Sequence, residues 1–115
     1  MAFAWLSGLT SSVFRYSLVG EANPKEFKLE DGSHVKKILS TKEHVIIALE
    51  KTFRRIDILK ELVEPKMIQF SSESSNFGDF ALSPDQKTLI SVSQSSSELL
   101  VADLDSWRML QSSSH

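Results

Sequence analysis

Phe80-Ala81-Leu82-Ser83-Pro84-Asp85-Gln86-Lys87-Thr88-Leu89-Ile90-Ser91-Val92, continued by Leu99-Leu100-Val101-Ala102-Asp103-Leu104, is the stretch that decides the fold. Residues 77–82 read as a strand. Ser83-Pro84-Asp85-Gln86 reads as a tight turn, because Pro84 presets φ for its first central position and Asp85 suits the second. Residues 88–92 alternate as a half-buried strand does. The serines of 93–97 turn the chain, 99–104 is the next strand, and 107–110 begins another element. This is a meander of short antiparallel strands with compact turns.

The same rhythm extends upstream. His44-Val45-Ile46-Ile47-Ala48-Leu49 is a nearly unbroken apolar run, the pattern of a strand buried on both faces. It follows a strand over 35–39 and a polar turn at 40–42. Residues 52–59 (TFRRIDIL) fit two periods. As a strand they put Phe53, Arg55, Asp57 and Leu59 on one face. As a helix over 52–64 they line up Phe53, Ile56 and Val63, and Pro65 stops it. Neighbouring short strands favour the strand. Residues 67–70 look extended. Further upstream, 13–19 (VFRYSLV) is rich in β-branched and aromatic residues. Asn23-Pro24 marks a loop, 26–29 a short strand, and Asp31-Gly32 a hairpin turn. Short strands with turns every eight to twelve residues or so mean a sandwich, a barrel or a propeller.

At 115 residues the chain suits one small domain. A net charge of −2 supplies no basic field for nucleic acid. The absence of cysteine removes thiolate nucleophiles, disulfides and cysteine metal sites, and it suits a reducing compartment. Residues 1–20 lack the basic start of a signal peptide and are too polar to span a bilayer. A helical stripe of Phe3, Leu6, Leu9 and Val13 would suit a membrane surface; an ordinary packed first element is the preferred reading.

Candidate chemistry is thin. His34, Glu43 and His44 offer metal ligands across a hairpin, but a zinc site wants three or four with support behind them, so structural or surface roles are expected. The serines form no nucleophile elbow. The runs 71–75 and 93–97 read as solvated loops rather than phosphate acceptors. Glu26, Glu30 and Asp31 are scattered. Arg54 and Arg55, with Lys51 and Lys60, make the basic cluster, yet in a strand the two arginines point to opposite faces. Glu50, Asp57 and Glu61 neutralise them, so a solvated face is expected. Trp5 and Trp107 read as packing residues, Trp107 alternatively as a partner anchor.

The segment from Phe80 to Leu104 resembles a WD40-type blade. Asp103 stands where such blades place the aspartate of their Trp-Asp pair, with Ala102 in place of the Trp, and no Gly-His pair precedes it. A weaker copy aligns HVIIALEKTFRRIDIL with TLISVSQSSSELLVADL. Leu18-Val19-Gly20, Asn23-Pro24-Lys25, residues 35–39 and 45–49, Ile56-Asp57-Ile58-Leu59 and Ala81-Leu82-Ser83-Pro84 together resemble the PROPPIN family over roughly residues 18–105. Those are seven-bladed phosphoinositide-binding propellers of autophagy. In them a LVGG…NPK stretch leads to a V-V-L-E…Y-D-I…L hairpin and an A-L-S-P turn. Their lipid signature is an arginine pair followed by glycine in a later blade. Here Ile56 follows Arg54-Arg55, so lipid binding is not carried over.

The resemblance implies an all-β fold of WD40-like propeller blades, with a small α+β domain (helix near 52–64) as the alternative. A blade takes about 40–45 residues, so a partial propeller is expected. The units are an N-terminal segment 1–12, blade-like units 13–65 and 66–111, and a disordered tail 112–115. The expected function is a non-enzymatic scaffold in autophagy and membrane trafficking. The alternatives are a generic WD40-like scaffold without lipid binding and a small α+β interaction domain. No residue is assigned a catalytic, lipid-binding or metal role, and no cofactor is expected. Partners are expected to be proteins, with phosphoinositide membranes by resemblance only, no nucleic acid, and a homo-oligomer completing the fold. The expected location is the cytoplasm, peripheral on membranes.

Overall fold

The computed structural model describes residues 3–7, 12–17, 23–29, 34–71, 75–94 and 98–114. They form strands and turns and contain no helix. β1 (Phe3–Ser7), β2 (Ser12–Ser17) and β3 (Lys25–Lys28) make an N-terminal sheet in that order. β4 (Lys37–Ser40), β5 (His44–Ala48), β6 (Thr52–Asp57) and β7 (Leu62–Val63) make a central sheet, with β8 (Ile68–Gln69) also paired to β6. β9 (Phe77–Leu82), β10 (Thr88–Ser93), β11 (Glu98–Asp103) and β12 (Arg108–Ser114) make a C-terminal meander. Every pairing is antiparallel.

The central sheet is buried on both faces because β5 carries apolar residues at successive positions. Val45, Ile47 and Leu49 pack with Val13, Phe27 and Leu29 of the N-terminal region; Ile56 joins them. Ile46 and Ala48 pack on the other side with Phe80, Leu89, Leu100, Ala102, Leu104 and Trp107. Two seams result. The first is aliphatic at its centre. The second is aromatic: Phe53 meets Phe70, Phe77 and Phe80 edge-on, with centroids 5.8, 6.0 and 6.0 Å apart. Such pairs add about 0.5–1.5 kcal/mol each beyond the area they bury.

Residues 52–57 are a strand, so the α+β alternative with a helix over 52–64 is overturned. A helix would gather Phe53 and Ile56 on one stripe, whereas the strand sends Phe53 into the second seam and Ile56 into the first. The chain then turns at 58–61. The turn reappears after β11. Lys60 N donates to Asp57 Oδ1 at 3.0 Å, and Ser106 N donates to Asp103 Oδ2 at 2.7 Å. The next residue in each, Glu61 and Trp107, has φ of 52°. Asp103 is thus a turn cap, and Asp57 is its counterpart. On the opposite end, Gly78 faces the bulge between Val92 and Ser93; a Cβ there would meet Val92 O and Gln94 N at 3.0 Å.

Three further expectations shift. The helical stripe fails because β1 pairs with β2 as a strand, with Leu6 exposed and Val13 buried; Leu9 lies outside the described residues. The tail expected to be disordered from residue 112 continues as β12, paired through Leu100–Ser112, Leu99–Ser113 and Glu98–Ser114. The sheets do not follow the units 13–65 and 66–111, since β2 and β3 pair with β1 while β8 returns to β6. The Asp31-Gly32 turn lies outside the described residues.

Candidate functional site

The basic pair is not a solvated face. Arg54 is 9% exposed and donates through Nη1 to Leu29 O at 2.7 Å and through Nη2 to Glu64 O at 3.3 Å. Arg55 turns the other way, donating through Nη1 to Leu104 O and Asp105 O at 2.5 and 2.8 Å and pairing with Glu64 at 3.3 Å. Its guanidinium lies 5.6 Å from the Trp107 ring, and Trp107 Nε1 donates to Lys66 O at 2.8 Å. Strand alternation aims the two arginines apart, as the sequence implied, and each clamps the central sheet to a different neighbour. Long side chains buried this way reach carbonyls at strand ends that no ladder satisfies. The signal was in the alternation; what pattern reading missed was that both faces would be covered.

The described residues leave one broad sheet face uncovered. On β10, Leu89, Ser91 and Ser93 point into the second seam, while Ile90 and Val92 point out and are 42% and 46% exposed. Ala81 lies opposite Ile90, and Val101 and Leu99 lie opposite Ile90 and Val92 on the next strand. Ala81, Ile90 and Val92 line a shallow depression of about 240 Å³ together with Asp79 and Phe80, and the half-buried Leu99 and Val101 continue the same face on β11. In the alignment of the two copies, Ile90 and Val92 take the positions of Ile46 and Ala48. Those are the residues through which the central sheet receives the C-terminal one.

At the turn end of the second seam is an open cleft of about 260 Å³. The β4–β5 turn brings Glu43 and His44, the β9–β10 turn brings Asp85 and Lys87, and the β11–β12 turn brings Asp105. Glu43, His44 and Asp105 each offer a ligand atom, all within 4.8 Å of one another. His34 is exposed and takes no part. Burial of the His44 ring, reinforced by the charge of Arg55, lowers its pKa below the ordinary 6.5; Asp57, Asp105 and Glu43 pull the other way. The balance favours the neutral imidazole. Asp105 was invisible as a member of this group because it lies on a different sheet, distant in sequence.

The serine runs are partly structural. Glu98 is 1% exposed, and its carboxylate accepts from Ser71 N and Oγ at 2.7 and 2.9 Å and from Ser75 Oγ at 2.8 Å. Ser93 Oγ accepts from Glu98 N at 3.0 Å. Residues 72–74 and 95–97 lie outside the described ones. The carboxylates of the first half give no paired acid–base geometry: Glu26 is exposed on β3, and Glu30 and Asp31 fall outside the described residues. Trp5 packs against Phe27, centroids 5.7 Å apart, and Trp107 is buried, so both serve packing. No helix among the described residues is long and apolar enough to cross a membrane.

No family model and no curated protein matches the chain. Among solved structures it is similar to the crystal structure of Kluyvelomyces marxianus Hsv2, with a TM-score of 0.52 and 10% identity over 94% of this chain and 48% of that one. Hsv2 is a PROPPIN-family protein. At that identity the likeness carries the fold alone. The chain is an all-β partial propeller of WD40-like blades, and it spans about half the length of that structure.

Proposed function

We propose that this chain is a non-enzymatic scaffold segment of a PROPPIN-like propeller, acting in autophagy and membrane trafficking by docking protein partners. The observation that carries the reading is the outer face of the C-terminal sheet. Ala81, Ile90, Val92, Leu99 and Val101 repeat, one blade further on, the face through which the central sheet holds its neighbour. A sheet face of this kind fits another sheet packed about 10 Å away. The motif resemblance and the fold likeness to Hsv2 support the choice of family.

A scaffold without lipid binding is the second reading. It is favoured by the inward use of Arg54 and Arg55, whose guanidinium groups are already engaged by carbonyls and Glu64. Peripheral binding to phosphoinositide membranes rests on the resemblance.

Two measurements test this. Size-exclusion chromatography with light scattering should give a discrete assembly of chains that Ile90→Lys with Val92→Lys dissolves. A well-behaved monomer unchanged by the pair of substitutions counts against the docking face. Flotation with phosphatidylinositol-3-phosphate vesicles then separates the two readings: headgroup-dependent flotation supports the membrane role, and indifference leaves protein docking.

A further inference from the structure

We infer that Glu43, His44 and Asp105 form a divalent transition-metal site, for an ion of the zinc type, that bridges the central and C-terminal sheets. Three observations place it there. The ligand atoms of the three residues lie within 4.8 Å of one another at the mouth of the turn-end cleft. His44 as a residue is 9% exposed, its ring makes no hydrogen bond to another described residue, and one of its ring nitrogens lies within 4.8 Å of a carboxylate oxygen of both Glu43 and Asp105. The donors also come from two sheets that already meet at this end through Arg55.

The donor set selects the ion. One imidazole nitrogen with two carboxylates suits zinc and its neighbours, whereas calcium and magnesium take all-oxygen shells. Zinc bonds of about 2.0–2.2 Å draw tetrahedral ligands to within roughly 3.5 Å of each other. Glu43 and Asp105 are exposed and close that gap by side-chain rotation. Three protein ligands leave a fourth position for water, as in open rather than closed zinc sites. Lys42, Lys87 and the guanidinium of Arg55 stand nearby and oppose a cation, so binding is weaker than at a closed four-ligand centre. Its effect is to tie the β4–β5 turn to the β11–β12 turn and so to stabilise the second seam when metal is present.

The test is a calorimetric titration of the tag-free chain with zinc chloride in a buffer without chelating groups, paired with thermal unfolding. Saturable binding of one ion per chain with a raised unfolding midpoint is expected. Glu43→Gln and Asp105→Asn alter exposed side chains and keep the fold; each should weaken binding tenfold or more and cancel the thermal shift. His34→Asn should leave both unchanged, and calcium should not compete. Absence of saturable binding, or binding that Glu43→Gln and Asp105→Asn leave intact, overturns the site.

Discussion

The two seams of the central sheet use equivalent positions in opposite ways. Glu61 and Trp107 each follow the same Asp-capped turn with the same left-handed φ. Glu61 reaches back across the first seam to Arg15 and Lys25 in an exposed ion-pair cluster. Trp107 reaches back across the second seam as a buried ring bonded to Lys66 O and stacked near Arg55. One turn geometry therefore delivers either a solvated charge or a core side chain, and the energetic weight of the two differs several-fold. Exposed ion pairs contribute little after screening and side-chain ordering; a buried indole contributes as a large apolar side chain does.

The sharpest way to break the comparison is Trp107→Ala. It should cost about 3–5 kcal/mol, a large part of a small domain's stability, and be read as a lower urea midpoint. A measured cost under about 1 kcal/mol would show that the second seam does not depend on the indole. Next come the clamps. Arg54→Leu and Arg55→Leu should each cost about 2 kcal/mol by stripping carbonyls of a charged donor. A double-mutant cycle sharpens this further: Arg55 should couple to Trp107, and Arg54, which serves the other seam, should add to it independently. Equal coupling for both would merge the seams into one unit.

A smaller effect lies in acid. Glu61 is held below its ordinary pKa first by hydrogen bonding to Lys25, with Arg15 adding charge, and Asp79 is held below its own first by Lys37. A carboxylate whose folded pKa is depressed contributes stability above its unfolded value and loses it as pH falls through the folded one. Both cross-seam pairs should therefore contribute fully above the ordinary values of 4.5 and 3.8 and lose that contribution progressively as pH falls from there through the lowered folded values, and high salt should blunt the loss. The denaturant midpoint against pH, at two salt concentrations, checks it. The smallest effect is Glu61→Gln at neutral pH and high salt, where no change in midpoint beyond error is expected; a clear drop would put the first seam on the same footing as the second.

Much of this architecture was legible in the residues. The apolar run 44–49 announced burial on both sides, and Ser83-Pro84-Asp85 fixed the β9–β10 turn. At Thr52–Asp57 the local pattern allowed helix or strand; the short strands on either side favoured the strand, and the demand for apolar residues on two faces shows why it forms. The clamping arginines were half legible: alternation separates their directions, but local charges suggested solvent where carbonyls of distant strands stood. The tail misled because its serines lack apolar content, while β12 there is held by backbone pairing with β11, which does not depend on side chains. Glu43 and His44 were paired in the sequence, but with His34; Asp105 could not be joined to them, because a grouping between sheets depends on how the sheets stack, and stacking leaves no local signature.

The adjacency of Arg54 and Arg55 has a consequence for how errors are rejected during folding. If β6 paired with β5 one residue out of step, every side chain on it would change face. Arg54 would then point at the second seam and Arg55 at the first, each toward a surface built for the other. Both clamps would fail together, and Phe53 and Ile56 would exchange sides as well. A misaligned hairpin thus has no half-correct form in which to linger. The neighbouring sheets act as inspectors of the central one, and a single strand carries the mark that both of them read.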